Sequence, residues 1–158
     1  MSMIWWIVGA LLAMPLLLAI GLVAWQRFRT RMIERQMQSA RASFRQQREW
    51  IEARFYTLAS ESGRPRGLRW VDCEFADAVS FARDKTTGEM RALVAVNISF
   101  EAVEGGGMED NPNVGRVRAA TALFLHRDGK WETDGRAIMN LDPQQAIDHF
   151  QHELETVD

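Results

Sequence analysis

The sequence predicts an α+β protein with a single transmembrane helix at its start. Three features support this prediction: an apolar segment without charged side chains near the N-terminus, a long stretch without Gly or Pro, and a run of alternating apolar residues in the second half. In chain order we expect a transmembrane anchor over residues 1–25, a long basic juxtamembrane helix over 26–62 and a soluble domain over 63–158. That domain should combine a four-stranded antiparallel sheet with a short C-terminal helix.

The anchor is predicted because residues 3–25 contain no ionisable side chain. About twenty apolar residues at a rise of ~1.5 Å each cover the hydrocarbon core of a bilayer. A cleaved signal peptide is the alternative, since small residues at 19–21 offer a cleavage spacing. Signal peptides, however, begin with a basic segment and have a shorter apolar core. The residues expected at the membrane interfaces are Trp5, Trp6 and Trp25, followed by the basic Arg27, Arg29 and Arg31.

The distribution of charge predicts the orientation. Residues 26–50 carry seven Arg and two Glu, a net charge of +5, whereas no basic side chain precedes the apolar segment. This bias places the C-terminal domain in the cytoplasm and the N-terminus outside the inner membrane, with the arginines near anionic lipid headgroups. Residues 51–158 carry 12 basic and 19 acidic side chains, a net charge of −7. That balance argues against nucleic-acid binding.

Residues 26–62 are predicted to be helical because helix-forming residues dominate and neither Gly nor Pro interrupts them. Apolar residues recur every seven positions, but the second column that a coiled coil needs turns polar at Gln47 and Arg54, so dimerisation through this helix is possible but not favoured. The second half is instead expected to lay an apolar stripe on the sheet. The stripe consists of Trp50, Ile51, Phe55 and Leu58.

Four strands are predicted downstream. The first covers 68–83 with a break near Ala76 and Asp77, and the second is the alternating run over 90–100. A loop rich in Gly follows, and the last two strands cover 116–126 and 131–140. Between these two, a three-residue loop with Gly129 in the left-handed position would pair Leu125 with Trp131 and keep acids off the core face. Asp142, Pro143 and Gln145 predict the start of the C-terminal helix.

Candidate functional residues are few. The Gly-rich loop is the predicted interaction site, through Glu104, Met108, Glu109, Asp110 and Asn111. Its oxygens lack the spacing of a calcium loop. We find no serine nucleophile motif, phosphate loop or dinucleotide fingerprint. Cys73 is expected to be a buried apolar residue, and His149 and His152 a solvated helix surface. We therefore predict no catalytic residue, metal or cofactor.

The hairpin over residues 122–131 (A-L-F-L-H-R-D-G-K-W), preceded by a helix and a long strand, resembles the nuclear-transport-factor-two-like group of the cystatin-like architecture. The resemblance implies a curved antiparallel sheet wrapped around a helix, often with an apolar pocket, in a group that includes both enzymes and association modules. It covers about 30 residues. The chain departs from the group in its single leading helix and its C-terminal helix, and no catalytic residue can be carried over.

The function predicted from these features is that of a membrane-anchored, non-catalytic cytoplasmic module that binds a protein partner or assembles a complex. The alternative is a small-molecule-binding or enzymatic domain with an apolar pocket between sheet and helix, which would need a cavity of several hundred Å³. A structural stalk that oligomerises is a third hypothesis. The identity of the partner or ligand does not follow from the sequence.

Overall fold

The computed structural model describes the backbone of residues 2–62 and 67–157, and the side chains of residues 21–157 apart from 23, 29, 30, 33 and 62–66. The chain divides into two units, Met1–Ser39 and Ala40–Asp158, and we call the second the folded unit. The elements are α1 (Ser2–Ser62), β1 (Leu68–Asp84), β2 (Met90–Ala102), β3 (Arg118–Arg127), β4 (Lys130–Glu132), β5 (Ala137–Met139), α2 (Pro143–His149) and β6 (Leu154–Thr156).

The architecture is α+β, but the predicted fold class is wrong in two respects. The antiparallel sheet has six strands, because the predicted last strand divides into β4 and β5 and the segment after α2 forms β6. The predicted transmembrane helix is the second error: within the described residues, no helix is both long enough and apolar enough to cross a membrane. The side chains of residues 1–20, which include Trp5 and Trp6, lie outside the described residues, and the inner-membrane location stays a prediction.

The strand order is β4-β3-β2-β1-β6. The short strand β5 also pairs with β3, along the same edge as β4. Successive side chains of a strand point to opposite faces, and in the folded unit both faces of the sheet contribute buried apolar residues. On one side the buried residues of α1 (Ala40, Phe44, Ile51, Phe55 and Ala59) cover an aromatic core that includes Phe124 and Trp131. On the other side α2 packs through Ala146 and Ile147 against Leu93 and Leu123.

Strand β1 is irregular where the sequence predicts a break. Its pairing with β2 shifts between Trp70 and Asp72 and again between Phe75 and Val79. Within the second irregularity, the carbonyls of Ala76 and Asp77 accept hydrogen bonds from the Arg48 guanidinium at 2.5 and 2.7 Å. The same guanidinium donates to Glu52 at 2.7 Å. The helix therefore satisfies two carbonyls that the interrupted strand leaves without ladder partners.

The predicted register of the β3–β4 hairpin is wrong by one residue. The turn has two residues, Asp128 (φ 48°) and Gly129 (φ 77°), and His126 pairs with Trp131. Both positive φ values are those of a type I′ turn. Leu125 therefore lies opposite Glu132 and not opposite Trp131. Since Leu125 is only half-buried and Glu132 is exposed, this pair buries no acid.

The break between β4 and β5 is imposed by α1. A Cβ atom on Gly135 would lie 2.6 Å from the backbone nitrogen of Ala59, so the chain passes directly against the helix. Thr133 supports this path, because its hydroxyl donates to the Leu123 carbonyl at 3.2 Å and accepts from the Gly135 amide at 3.1 Å. β5 then pairs with β3 through Ala122 and Ala137, a register two residues removed from that of β4.

The predicted start of the C-terminal helix is confirmed. The Asp142 side chain accepts from the Gln145 amide at 2.8 Å, and the Gln145 side chain accepts from the Asp142 amide at 3.1 Å, which is a complete capping box. Pro143 occupies the first turn. The helix ends at His149, and the buried Leu154 reaches the core from β6.

Candidate functional site

The predicted interaction loop connects β2 to β3 over residues 103–117 and is fixed at its base by two glycines. The Val103 amide donates to the Gly67 carbonyl at 2.9 Å, and the Gly106 amide donates to the Val103 carbonyl at 2.9 Å. A Cβ atom on Gly106 would lie 2.5 Å from the Cα atom of Gly67. Only glycine allows two backbones to approach this closely, so the base of the loop is a backbone-to-backbone contact.

Glu109 closes the loop from within. Its carboxylate accepts hydrogen bonds from the amides of Gly105 and Gly106 at 2.5 and 3.1 Å. The pKa of Glu109 is lowered, first by the hydrogen bond from its own backbone amide and then by those from Gly105, Gly106 and Met108. Glu109 therefore acts as an internal brace of the loop, and its charge is already engaged by backbone donors.

The distal part of the loop is a succession of turns. The Asn111 amide donates to the Met108 carbonyl at 3.2 Å, and the Val114 amide donates to the Asn111 carbonyl at 3.1 Å. The Asn111 side chain accepts from the Asn113 amide at 3.0 Å, and Val114 is buried at 9 % exposure. Of the five predicted interaction residues, the structure thus uses Glu109 and Asn111 for internal hydrogen bonds. It leaves Glu104 and Asp110 exposed and Met108 half-buried.

Exposed valines surround this loop. Val103 and Val117, at its two ends, are 43 % and 60 % exposed, and Val71 is 51 % exposed. The register of the sheet places Val71 beside the paired residues Trp70 and Phe100, at the same end of the sheet as the loop. Sequence reasoning missed these valines because a valine inside or next to a strand is normally expected to be buried. We refer to the loop 103–117 together with Val71 as the loop surface.

A recess of about 430 Å³ opens beside the loop, between α1 and β1. Trp70 is 8 % exposed, and its ring contacts Tyr56 and Phe100 with centroids 6.3 and 5.4 Å apart. The buried Trp70 indole N–H has no hydrogen-bond acceptor within the described part of the chain. The recess is lined by Tyr56, Ser60, Leu68, Arg69, Trp70 and Val103. Arg69 itself pairs with Glu101.

The membrane-anchoring candidates whose side chains the structure describes are exposed. Trp25 is 60 % exposed, and Arg27 and Arg31 are also exposed, while the side chain of Arg29 lies outside the described residues. Their membrane-anchoring role stays a prediction. Cys73 is half-buried, and burial, aided by the charges of Asp72 and Glu52, raises its thiol pKa to about 12. Among the described residues no group of three His, Cys, Asp or Glu could hold a metal ion.

Comparison with protein-family models, curated proteins and solved structures finds no match to this chain. The resemblance of the hairpin to the nuclear-transport-factor-two-like group is therefore neither supported nor opposed by a relative.

Proposed function

We propose that the folded unit is a non-catalytic partner-binding module and that it contacts a protein partner through the loop surface. The observation that carries the proposal is the combination of a braced loop with exposed valines at both of its ends. A loop that is already held by hydrogen bonds loses little conformational entropy when it binds. The exposed valines supply apolar area whose burial contributes about 25 cal/mol per Å².

The loop surface also carries exposed acidic side chains. Glu104 and Asp110 are exposed charges of the same loop, of the kind that the polar rim of a protein interface contains. Loops on a sheet can also be exchanged without disturbing the scaffold, which suits a surface that selects one partner.

The proposal is tested by crosslinking and mass spectrometry of the full chain, affinity-tagged in the cells that produce it. We expect a partner to be recovered in near-equal amount with crosslinks to residues 103–117. Replacing Val103 and Val117 by Ser should abolish recovery of the partner. Thr86→Ala, a substitution at an exposed residue of the β1–β2 turn, should leave the recovery unchanged. Recovery of the partner by both variants in equal amount would exclude the loop surface.

The recess beside the loop favours a second candidate function, the binding of a small molecule. Its volume of about 430 Å³ falls within the usual range of ligand sites, and the Trp70 indole N–H is a buried donor in need of an acceptor. Screening of aromatic amides and carboxylic acids by NMR tests this alternative. A ligand of the recess should shift the Trp70 indole resonance and bind more weakly to the Ser60→Ala variant. Compounds that shift only distant residues would dismiss this alternative.

A further inference from the structure

Trp50 lies where the sequence does not predict it. We expected it in the apolar stripe that covers the sheet, but its side chain is 58 % exposed, whereas Ile51 and Phe55 are fully buried. The geometry of the helix explains the difference, because neighbouring residues are separated by about 100° around the axis. Ile51 and Phe55, four residues apart, define the buried line, and Trp50 is rotated away from it. A large aromatic ring is thus left at the surface of a well-packed helix.

The exposed indole borders a recess of about 220 Å³ between α1 and the β3–β4 hairpin. The wall of this recess is rigid, because Trp131 is 1 % exposed and its indole N–H donates to the Ala40 carbonyl at 3.0 Å and to the Ser43 hydroxyl at 3.1 Å. We call this the Trp50 recess. It is lined by Gln47, Trp50, Arg54, Lys130, Trp131 and Glu132 and shares no residue with the loop surface.

The charges at the Trp50 recess are not paired with one another. The Arg54 guanidinium lies over the Trp50 ring, 5.6 Å from its centroid, which orients the cation beside the apolar surface. Within the described residues, Arg54, Lys130 and Glu132 form no ion pair. Two cations and one carboxylate leave a net charge of +1 at the recess. This sign is opposite to the net charge of −7 that residues 51–158 carry as a whole.

We propose that the Trp50 recess binds a linear segment of a partner protein in which an apolar side chain lies next to an Asp or Glu. The apolar side chain packs on the Trp50 indole, and the carboxylate pairs with Arg54, whose guanidinium lies over the same ring. Trp and Arg are the residue types most enriched among the energetically dominant residues of interfaces. The net positive charge of the recess attracts a carboxylate, which gives the segment a defined register.

The test uses random linear peptides displayed on phage and selected on the full chain. We expect the selected peptides to be enriched in an apolar residue adjacent to Asp or Glu. The dissociation constant of one synthesised peptide is then measured by fluorescence anisotropy. It should rise about tenfold or more for Trp50→Ala and about three- to tenfold for Arg54→Gln. Arg45→Gln, the same charge change at an exposed position of α1 outside the recess, should alter it by less than about twofold.

Two further measurements make the result decisive. Trp50→Phe keeps an aromatic ring at this position and should retain most of the affinity for the peptide. The weaker binding of Trp50→Ala is then assigned to the lost aromatic contact. Changing the acid of the peptide to its amide should weaken binding to the natural chain but have little added effect on Arg54→Gln. Peptides without acidic enrichment, or binding indifferent to Trp50, would overturn the proposal. So would Trp50-dependent self-association in light scattering, or Trp50-dependent binding to vesicles containing phosphatidylserine, because either assigns the recess another occupant.

Discussion

The indole N–H of Trp131 donates a hydrogen bond to the backbone carbonyl of Ala40 at 3.0 Å, across 91 residues of sequence. The same ring lies edge-on to Phe44, with centroids 4.9 Å apart, and beside the His126 ring at the same distance. A single side chain of the short strand β4 thereby ties the sheet to the first turns of α1 within the folded unit. Trp131 is the largest of the fully buried side chains of the core.

Trp131→Phe should therefore destabilise the folded unit measurably. The substitution removes the only side-chain donor of the residue and leaves unfilled volume, which together cost about 2 kcal/mol of unfolding free energy. Urea denaturation of the full chain, followed by circular dichroism, measures the loss. Trp50→Phe, the same chemical change at an exposed position, should cost less than about 0.5 kcal/mol. Similar losses in both variants would contradict the anchoring role of Trp131.

Gly135→Ala should lower the unfolding free energy by more than the strain of its positive φ alone. Gly129 and Gly135 have nearly the same positive φ, 77° and 75°, so an added Cβ strains both to a similar degree, by about 1–2 kcal/mol. A Cβ on Gly129 meets no atom within 4 Å, whereas one on Gly135 would meet the Ala59 backbone nitrogen at 2.6 Å. We expect Gly135→Ala to exceed Gly129→Ala by at least about 1 kcal/mol in urea denaturation. Equal losses would mean that α1 moves aside freely.

The features that the sequence predicts well are those determined locally. The alternation of β2 depends on a period of two, and the capping box of α2 depends on Asp142 and Gln145, three positions apart. The break in β1 near Ala76 also follows from a local fault in the alternation. The brace at Glu109 is local too, because Glu109 follows Gly105 by four residues and Gly106 by three. This spacing is visible in the sequence, although the hydrogen bonds from the two amides to the carboxylate were not predicted.

The features that the sequence does not predict depend on distant partners. The hairpin register was inferred by treating Leu125 as a core residue, but the edge position of β4 leaves it half-buried. The break after β4 depends on the approach of Gly135 to Ala59, which no local pattern reveals. The exposure of Trp50 follows from which helix positions the sheet covers. The apolar stripe of the helix is wider than the face that the sheet covers, and the residue left exposed to solvent is Trp50.

Asp84 should make stability depend on pH in the acid range. Its buried carboxylate accepts from the Thr87 and Thr86 amides at 2.9 and 2.8 Å and pairs with Arg91. The Thr87 amide contributes most to lowering the pKa of Asp84 below its ordinary value of 3.8, and the charge of Arg91 adds to it. A lowered folded pKa means that the stabilisation is complete above the unfolded pKa and is lost as the pH falls through the folded pKa.

Asp84→Asn consequently should cost about 2 kcal/mol at pH 7, and the difference from the natural chain should shrink below pH 3.8. Urea denaturation at a series of pH values measures both quantities. Asp128→Asn is the matched control, because Asp128 is exposed in the β3–β4 turn and Asn tolerates its positive φ. A difference between Asp84→Asn and the natural chain that persisted at the lowest pH would contradict this account.

Cys73 should be slow to react with iodoacetamide. Burial, followed by the charges of Asp72 and Glu52, raises its pKa to about 12, so the reactive thiolate is scarce at pH 8. Alkylation of the folded chain, followed by mass spectrometry, should be at least about 100-fold slower than alkylation in concentrated urea. Asp72→Asn removes a neighbouring negative charge and should accelerate the reaction of the folded chain. Equal rates with and without urea would show an accessible thiolate and contradict the burial of this group.

Glu109→Ala should loosen the loop without unfolding the protein. The carboxylate accepts from the Gly105 amide, so its removal should lower the hydrogen-exchange protection factor of Gly105 about tenfold, while the unfolding free energy stays nearly constant. The Gly106 amide should lose less protection, because it also donates to the Val103 carbonyl. Glu104→Ala, an exposed acid in the same loop, should leave both protection factors unchanged. In the natural chain the lowered pKa keeps the brace charged below the ordinary glutamate value of 4.5. The hydrogen-exchange protection should therefore persist at pH 4.5 and be lost only as the pH falls through the lower folded pKa. A loss of protection above pH 4.5 would contradict the assignment of Glu109 as the brace.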